Sequence, residues 1–240
     1  MPVPSFASFA MHNKFAPMNT RHLLLLLAAM SGLARAEMPA APAEQFMDSI
    51  GVCTHWSYSD TPYGMEFDRV AAMLVQSGIR HIRDGLSDRM IELGKVGIRA
   101  TVVLEPTRSI EDWLGAIRKA NAAGARIVAV EGPNEPDLFW LEYARNYPPG
   151  TPAPTNVTDV IEGVTRFQRD LFAAVKADPA LRSLTVIGPA LGRTYGYDVR
   201  SPFREGSLAD AVDWGNFHHY PGGNPFTNRF TNKICPETGA

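Results

Sequence analysis

The sequence predicts an α/β fold with a parallel sheet, and two observations support this prediction. Short apolar runs rich in β-branched residues alternate along the chain with stretches whose apolar residues recur at helical spacing. This alternation is typical of βαβ units, in which a helix connects two parallel strands. The apolar runs begin near residues 50, 79, 98, 127, 184 and 214, which indicates six β/α units without a detectable internal repeat.

The composition is that of an ordinary globular protein and gives no sign of a charged partner. The chain has 240 residues, of which 45% are hydrophobic and 20% charged, and its formal net charge is -2. These values do not indicate nucleic acid or a membrane surface as a partner. The two cysteines, Cys53 and Cys235, could pair only if the fold brings them together. No Cys/His cluster is visible in the sequence, so we expect neither a metal ion nor a cofactor.

The amino terminus carries the pattern of a secretory signal peptide. A short basic start at residues 18–22 precedes an apolar run at 23–29, and Ala34 and Ala36 supply the small residues that signal peptidase recognises. We expect cleavage after Ala36, with residues 1–17 as an upstream extension of the signal peptide. The apolar run is about half the length of a membrane span, so we expect a secreted or periplasmic protein. A buried amino-terminal helix is the alternative interpretation.

The first half of the mature chain begins with an expected linker and then contains three strands. Residues 37–47 are rich in Ala and Pro and should form the linker, while 48–240 should form the folded domain. The pattern predicts strands at residues 50–56, 79–84 and 98–104. It predicts helices at residues 67–76 and 88–95, the first of them ended by Gly78.

The second half of the chain continues the same alternation. Ser109 begins a near capping box, which predicts a helix that ends near Gly124. A strand at 126–130, a long loop at 138–154 and the longest helix at 156–177 are expected next. The pattern then predicts a strand at 184–187, a helical turn at 208–212 and a sixth strand at 214–220.

The most informative motif is an Asn-Glu pair that directly follows the fourth strand. Asn134 and Glu135 come after the apolar run 127–130, and Pro136 ends any regular structure there. Glu135 is therefore expected at the carboxyl end of a buried strand, where barrel enzymes carry their catalytic groups. A carboxyl group in such a position could protonate the leaving oxygen in glycoside hydrolysis, while Asn134 could bind a sugar hydroxyl. A capping or loop carboxylate is the alternative interpretation of Glu135.

The Asn134-Glu135-Pro136 motif resembles the acid/base motif of clan A glycoside hydrolases, a cellulase-like group of retaining enzymes. The resemblance extends over residues 48–223 and implies a (β/α)8 TIM barrel, of which about six β/α units are present. It also implies that Arg83, at the end of the second strand, holds the nucleophile. An ion pair of Arg83 with Asp84 or with a helix carboxylate is the alternative.

The sixth strand ends in a His-His-Tyr sequence, and the clan often carries a His and a Tyr at this position. By this resemblance Tyr220 would hydrogen-bond to the nucleophile. Two-residue spacing on a strand places His218 and Tyr220 on one face and His219 on the other. The sequence does not determine which face points to the barrel mouth, and a buried core histidine is the alternative.

Several aromatic residues are candidates for sugar contacts, because the apolar face of a pyranose stacks on an aromatic ring. Trp140, with Phe139 and Tyr143, lies in the loop after Glu135. Trp56 ends the first strand, next to His55, and could line the cleft. A place in the hydrophobic core is the alternative for these side chains.

A retaining enzyme needs a second carboxylate about 5–5.5 Å from the first. In the clan this nucleophile ends the seventh strand, and here Pro236-Glu237-Thr238-Gly239 resembles one form of the nucleophile motif. Only a short segment without helical pattern separates Tyr220 from Glu237. We therefore expect a barrel that is truncated at its carboxyl end. Glu105, at the end of the third strand, is either another cleft carboxylate or a loop residue.

These observations together predict a glycoside hydrolase. The expected activity is hydrolysis of a β-linked glycan or glycoside by two carboxylates, Glu135 and Glu237, with retention of configuration. The expected partner is a carbohydrate, without nucleic acid or membrane, and the expected state is a monomer. The alternative is a non-catalytic remnant of a glycosidase that binds carbohydrate. A metal-dependent barrel enzyme is a third possibility, which the missing ligand cluster disfavours.

Overall fold

A computed structural model describes residues 40, 42–136, 138, 156–192 and 206–218. The chain divides into two units, 1–41 and 42–240, and the architecture below is that of the second unit. The predicted α/β fold is confirmed, since five parallel strands form one sheet in the order β1-β2-β3-β4-β5. The strands are β1 Gly51–Cys53, β2 His81–Gly85, β3 Arg99–Val103, β4 Ile127–Glu131 and β5 Thr185–Ile187.

Helices alternate with these strands in most of the positions that the sequence predicts. The helices are α1 Ala43–Asp48, α2 Pro62–Met65, α3 Phe67–Gln76, α4 Arg89–Lys95, α5 Ile110–Ala122 and α6 Val157–Ala177. The Ser109 side chain accepts a hydrogen bond from the Asp112 backbone N–H, so the predicted cap of α5 is confirmed. Gly78 follows α3 with a φ of 74°, a conformation that glycine adopts without steric cost.

The hydrophobic core lies on the face of the sheet that the helices cover. Alternate residues of each strand contribute to it, because successive side chains of a strand point to opposite faces. Phe167, Leu171 and Val175 of α6 and Ile117 of α5 are fully buried against these strand residues. The strand residues buried in this core are Ile82, Ala100, Val102, Ile127, Val130 and Val186.

The opposite face of the sheet carries polar side chains. Arg83 pairs in register with Thr101, and Val103 pairs with Glu131. An irregularity between Ala100 and Thr101 shifts the register of β3 against β4. Residues paired across parallel strands share a face, so Arg83 and Glu131 lie on the same side, across β3 from each other. This face positions the polar cluster described in the next subsection.

The end of the expected linker belongs to the folded unit. Residues 43–47 were expected to be part of a linker, but they form most of α1. Glu44 pairs with Arg80 at 2.5 Å, and Asp48 pairs with Arg99, the first residue of β3. These ion pairs attach α1 near the amino-terminal ends of β2 and β3, a contact that the Ala- and Pro-rich composition did not indicate.

The prediction of a sixth strand at 214–220 is wrong for its described part. Within residues 206–218, only Trp214 joins the sheet, through an isolated parallel bridge to Ile187. At the predicted helical turn, 208–212, the Ala211 backbone N–H donates to the Leu208 carbonyl oxygen at 2.9 Å, so the segment forms a hydrogen-bonded turn without a regular helix. Residues 219 and 220 lie outside the described part of the chain.

The Asp213 side chain takes one backbone donor of the edge strand β5, next to the Trp214 bridge. The Asp213 carboxylate accepts the Val186 backbone N–H at 2.7 Å, a donor of the edge strand β5. Lys176 of α6 also donates to Asp213, at 2.6 Å. Burial would raise the pKa of Asp213, but the hydrogen bonds from Lys176 and from the Val186 backbone N–H hold that pKa below its usual value. A carboxylate thus accepts the Val186 N–H, while the backbone N–H of Asp213 donates to the Val186 carbonyl oxygen at 2.8 Å.

Two helical glycines give a prediction about stability. A Cβ atom at Gly94 of α4 would collide with the Gly124 carbonyl oxygen and lie 2.9 Å from the Ala125 Cα. Because these are backbone atoms, Gly94→Ala should lower the free energy of unfolding by about 1–3 kcal/mol, as overpacking does. Urea denaturation followed by circular dichroism measures this difference.

Gly115 of α5 supplies the matched control for Gly94→Ala. A Cβ atom there would meet only the end of the Arg118 side chain, at 3.8 Å. Gly115→Ala should therefore raise stability by about 0.5–1 kcal/mol, the usual difference between the two residues in a helix. Equal effects of the two substitutions would contradict the close packing of α4 against residues 124–126.

Candidate active site

Glu135 lies at the carboxyl-terminal edge of the sheet and is almost completely buried. Glu135 is 8% exposed. Its backbone N–H donates to the carbonyl oxygen of Ala190, which lies beyond the end of β5, at 2.8 Å. Its φ is 46°, the left-handed region, which a residue with a side chain seldom adopts. Such a conformation costs about 1–3 kcal/mol and persists only where neighbouring contacts hold it. Glu135 is thus held in a fixed, strained position.

His218 contacts the Glu135 carboxylate directly. The His218 Nδ1 atom lies 2.7 Å from the Glu135 Oε1 atom, and both side chains are less than one-fifth exposed. When Nδ1 carries the proton it donates to the ionised carboxylate, and when the carboxyl group carries the proton it donates to Nδ1. The Glu135 and His218 contact spans 83 positions of sequence.

Arg83 forms a two-pronged ion pair with Glu131 on the same side of the sheet. Nε donates to Oε2 at 2.7 Å, and Nη2 donates to Oε1 at 2.6 Å. The Arg83 side chain is 23% exposed and the Glu131 side chain only 3%. Burial would lower the pKa of Arg83, but the hydrogen bonds and charge of Glu131 reverse this and hold the pKa above its usual value. Arg83 is therefore permanently charged.

Asn134, the residue that precedes Glu135, contacts this ion pair through Arg83. Its Oδ1 atom accepts a hydrogen bond from Arg83 Nη2 at 2.8 Å. Its backbone N–H donates to Glu105 Oε1 at 3.3 Å. Contacts from the ends of β2 and β3 thus fix the position of Asn134. Glu105, which sequence patterns left open between a cleft residue and a loop residue, lies within this cluster.

Arg83 does not form the ion pair with Asp84 that was the alternative interpretation; it pairs with Glu131. Asp84 lies on the helix-covered face, where it accepts hydrogen bonds from the Thr54 hydroxyl at 2.7 Å and the Trp56 backbone N–H at 3.0 Å. Successive strand residues point to opposite faces, so Arg83 and Asp84 cannot share the same partners. Asp84 instead connects the ends of β1 and β2.

Trp56 lies in the hydrophobic core and does not line a cleft. It is 6% exposed, and its ring packs edge-on against Tyr63 and Phe67, each at a centroid distance of 5.2 Å. The expected strand at 50–56 ends at Cys53, so the face alternation of β1 does not extend to Trp56. The prediction that Trp56 binds substrate is therefore wrong for this conformation. Its neighbour His55 is exposed and stacks on Tyr58 at 4.6 Å.

Three of the predicted site residues lie outside the described part of the chain. These are Trp140, Tyr220 and Glu237, and their roles in sugar binding and catalysis stay predictions. The structure brings together the other predicted residues of the site, apart from Trp56. They are Arg83, Asn134, Glu135 and His218.

Two residues of this cluster were not recognised as site residues from sequence. Glu131 directly follows the apolar run 127–130, and a charged residue at the end of a buried strand indicates that it has a buried partner. Gly192 approaches Glu135 so closely that a Cβ atom there would lie 3.1 Å from the Glu135 Cδ atom. No sequence signal distinguished Gly192 from the other glycines of the chain.

The close approach at Gly192 gives a prediction about the site. A Cβ atom at this position would also collide with Leu138, lying 2.8 Å from its Cγ atom. Gly192→Ala should therefore displace the Glu135 carboxyl group and weaken its contact with His218. We expect a loss of activity or ligand affinity of about tenfold or more, because small displacements of a reacting group are costly.

Gly206 gives a useful comparison for Gly192→Ala. A Cβ atom added at Gly206 would have no neighbouring atom within 4 Å. The φ of Gly206 is 77°, so a side chain there would still strain the backbone. Gly206→Ala should thus lower stability slightly without changing activity per folded molecule. Activity and thermal unfolding of both variants provide the measurement. A Gly192→Ala protein with unchanged activity would contradict the proposed packing of Glu135.

The residues described by the structure contain no group of three or more His, Cys, Asp or Glu side chains placed to hold a metal ion. Among these same residues, none of the helices combines the length and the apolar character needed to cross a membrane. In comparisons with known proteins, no protein-family model, no curated protein and no solved structure matches this chain.

Proposed function

We propose that this protein hydrolyses O-glycosidic bonds in a β-linked glycan or glycoside, with Glu135 as the acid/base. The observation that supports this most is the placement of Glu135. Glu135 is a buried residue at the carboxyl-terminal edge of a parallel sheet, its backbone has a strained conformation, and its carboxylate contacts His218. Catalytic groups of α/β enzymes occupy this edge, and backbone strain often accompanies function.

The proposed reaction assigns a role to each residue of the cluster. Glu135 protonates the leaving oxygen in the first step and removes a proton from water in the second. His218 holds the Glu135 carboxyl group in one orientation. Asn134, next to Glu135 and fixed by Arg83, hydrogen-bonds a hydroxyl of the sugar. We propose no metal or cofactor for these steps.

The proposed architecture is part of a (β/α)8 TIM barrel. The sequential strand order with parallel pairs is compatible with five consecutive units of such a barrel. In this proposal the polar face with Arg83 and Glu131 is the barrel interior. We also propose that residues 1–36 direct secretion, and that the mature protein acts outside the cytoplasm as a monomer.

The proposed nucleophile is Glu237, by its resemblance to the nucleophile motif of clan A. Two other carboxylates in the described cluster are less suited to attack a sugar carbon. Glu131 is 3% exposed and forms both of its hydrogen bonds with Arg83. Glu105 accepts the Asn134 backbone N–H. A nucleophile must approach the substrate, and an engaged carboxylate would first have to lose these contacts.

An assay with aryl β-glycosides tests the proposal. The full chain and the Glu135→Gln variant are compared on a panel of unactivated phenyl β-glycosides with different sugars, whose leaving oxygen needs a proton. Hydrolysis by the wild type that is lost in the variant supports the proposed function. Equal rates in the two proteins would refute the role of Glu135.

A second candidate function is binding of carbohydrate without catalysis. It is favoured by the engagement of Glu131 and Glu105, which are the other carboxylates of the described cluster. Sugar binding without turnover, unaffected by Glu237→Ala, would support this alternative. Covalent labelling of Glu237 by a mechanism-based fluoroglycoside, detected by peptide mass spectrometry, would exclude it.

A further inference from the structure

Gln168 is a completely buried amide in the longest helix, α6. Val164 and Leu171, which lie on the same face of α6, are buried as well but are apolar. A buried polar side chain costs stability unless it forms hydrogen bonds. The presence of an amide at this position therefore has to be explained by its contacts rather than by its volume.

The Nε2 atom of Gln168 donates to two backbone carbonyl oxygens. The Ala211 oxygen accepts at 3.0 Å and the Ile187 oxygen at 3.4 Å. These two contacts can use both hydrogens of the NH2 group. Among the described residues, none donates a hydrogen bond to the Oε1 atom of Gln168. A reversed amide would place Oε1 against two carbonyl oxygens, so the NH2 end determines the orientation.

The Oε1 atom of Gln168 lies against Gly132, which precedes Glu135 by three positions. A Cβ atom at Gly132 would collide with this oxygen, so the close approach requires a glycine. The Gly132 backbone N–H donates at 3.0 Å to the Ile187 carbonyl oxygen, which also accepts from Gln168. The amide thus contacts both the segment that leads to Glu135 and the end of β5.

The segment after β5 holds the backbones of both Glu135 and His218. The Ala190 carbonyl oxygen accepts from the Glu135 N–H at 2.8 Å, and the Leu191 carbonyl oxygen accepts from the His218 N–H at 3.4 Å. Gln168 binds the start of this segment. A shift of the segment would change the contact between the carboxylate and the imidazole, whose nearest atoms are 2.7 Å apart.

We infer that Gln168 is a positioning residue that sets the geometry of the Glu135 and His218 pair through three backbone segments. This inference rests on the proposed function and adds to it a residue buried in the core. The amide joins the segments that begin at Gly132, Ile187 and Ala211. Without it these segments can move relative to one another, and a small displacement of a proton donor lowers its efficiency.

Gln168→Met tests the inference with two leaving groups. Methionine fills nearly the same volume but donates no hydrogen bond. A phenyl β-glycoside needs a proton on its leaving oxygen, whereas a dinitrophenyl glycoside needs little protonation. We expect kcat/KM, which reports the first step, to fall about 10-fold or more for the phenyl glycoside and less than about 3-fold for the dinitrophenyl glycoside. A loss of folded enzyme alone would lower both values equally.

Thr165→Val is the matched control for Gln168→Met. The Thr165 hydroxyl donates to the Ile161 carbonyl oxygen at 2.8 Å, within α6. Its removal deletes a hydrogen bond of the same helix with little change of shape, so the ratio of the two kcat/KM values should stay that of the wild type. Gln168→Asn is a second test variant, because its amide is too short to reach both carbonyl oxygens. It should change the ratio in the same direction as Gln168→Met.

A measurement that needs no turnover follows the His218 ring. Its signals in a ¹⁵N-correlation spectrum are assigned by their loss in His218→Gln. Gln168→Met should shift these signals in the free protein, because the contact of Nδ1 with Glu135 changes. Thr165→Val should leave them in place. Thermal unfolding of each variant gives the folded fraction at the assay temperature.

The outcomes separate this inference from the proposed function. Hydrolysis that depends on Glu135, with an unchanged ratio and unchanged His218 signals in a folded Gln168 variant, would overturn the inference alone. Without hydrolysis that depends on Glu135 the proposed function is wrong, and the His218 signals still decide the inference. If both Gln168 variants fail to fold while Thr165→Val folds, Gln168 serves the stability of the whole domain, which also overturns the inference.

Discussion

The Glu135→Gln protein should hydrolyse an alkyl or unactivated aryl β-glycoside about 10²- to 10⁴-fold more slowly than the wild type, the usual contribution of a general acid. Gln has nearly the same shape as Glu but cannot donate a proton to the leaving oxygen. The variant can still donate or accept one hydrogen bond at His218, which lies 2.7 Å from the Glu135 carboxylate. Its fold should therefore be kept, and kcat measured on the purified protein gives the result.

Substrates with different leaving groups test whether Glu135 acts as the acid. A dinitrophenolate needs little protonation to leave, so Glu135→Gln should slow the first step with that substrate much less than with an alkyl glycoside. Glu162→Gln on α6 is a suitable control for the change of charge and should keep the wild-type rates. A uniform loss for all leaving groups would contradict the acid role and point to a structural effect of Glu135.

Arg83→Met should lower the free energy of unfolding by about 3–5 kcal/mol, the typical cost of removing one partner of a buried ion pair. The substitution leaves Glu131 charged, with a side chain only 3% exposed and without its two hydrogen bonds. Urea denaturation at neutral pH, followed by circular dichroism and tryptophan fluorescence, measures the loss.

Two further variants show whether this loss comes from the uncompensated charge. The double variant Arg83→Met with Glu131→Leu should recover much of the stability, because apolar replacements of both partners leave no buried charge. The control Arg69→Met removes an ion pair with Glu66 in which the arginine side chain is 73% exposed, and it should cost less than about 1 kcal/mol. A double variant as unstable as Arg83→Met would contradict the explanation.

The regular elements of the fold were predictable where the apolar periodicity is strong. Helix α3 has the predicted limits, and α5 begins at the predicted cap Ser109. These elements follow from local properties, namely apolar spacing and capping side chains. The parallel order of the strands was predictable as well, since helices between successive strands require it.

The segments that precede β1 and follow β5 were less predictable from sequence, because contacts with distant parts of the chain determine their structure. Residues 43–47 have a linker-like composition, yet Glu44 pairs with Arg80 in α1. Residues 214–218 have a strand-like composition, yet among them only Trp214 pairs with β5, through an isolated bridge to Ile187. In both places contacts with distant parts of the chain, rather than the local pattern, determine the limits of the regular elements.

The sequence by itself determined the alternation of strands and helices and the location of Asn134 and Glu135 after β4, because both depend on local order along the chain. Only the tertiary structure decided the partners of these residues. The contacts of Glu135 with His218 and of Arg83 with Glu131 span 83 and 48 positions of sequence. Strand register, with its irregularity where β4 has the extra residue Val128 against β3, brings Arg83 and Glu131 together, and a loop beyond the sheet brings His218 to Glu135. Such contacts between distant parts of the chain are not encoded in local patterns.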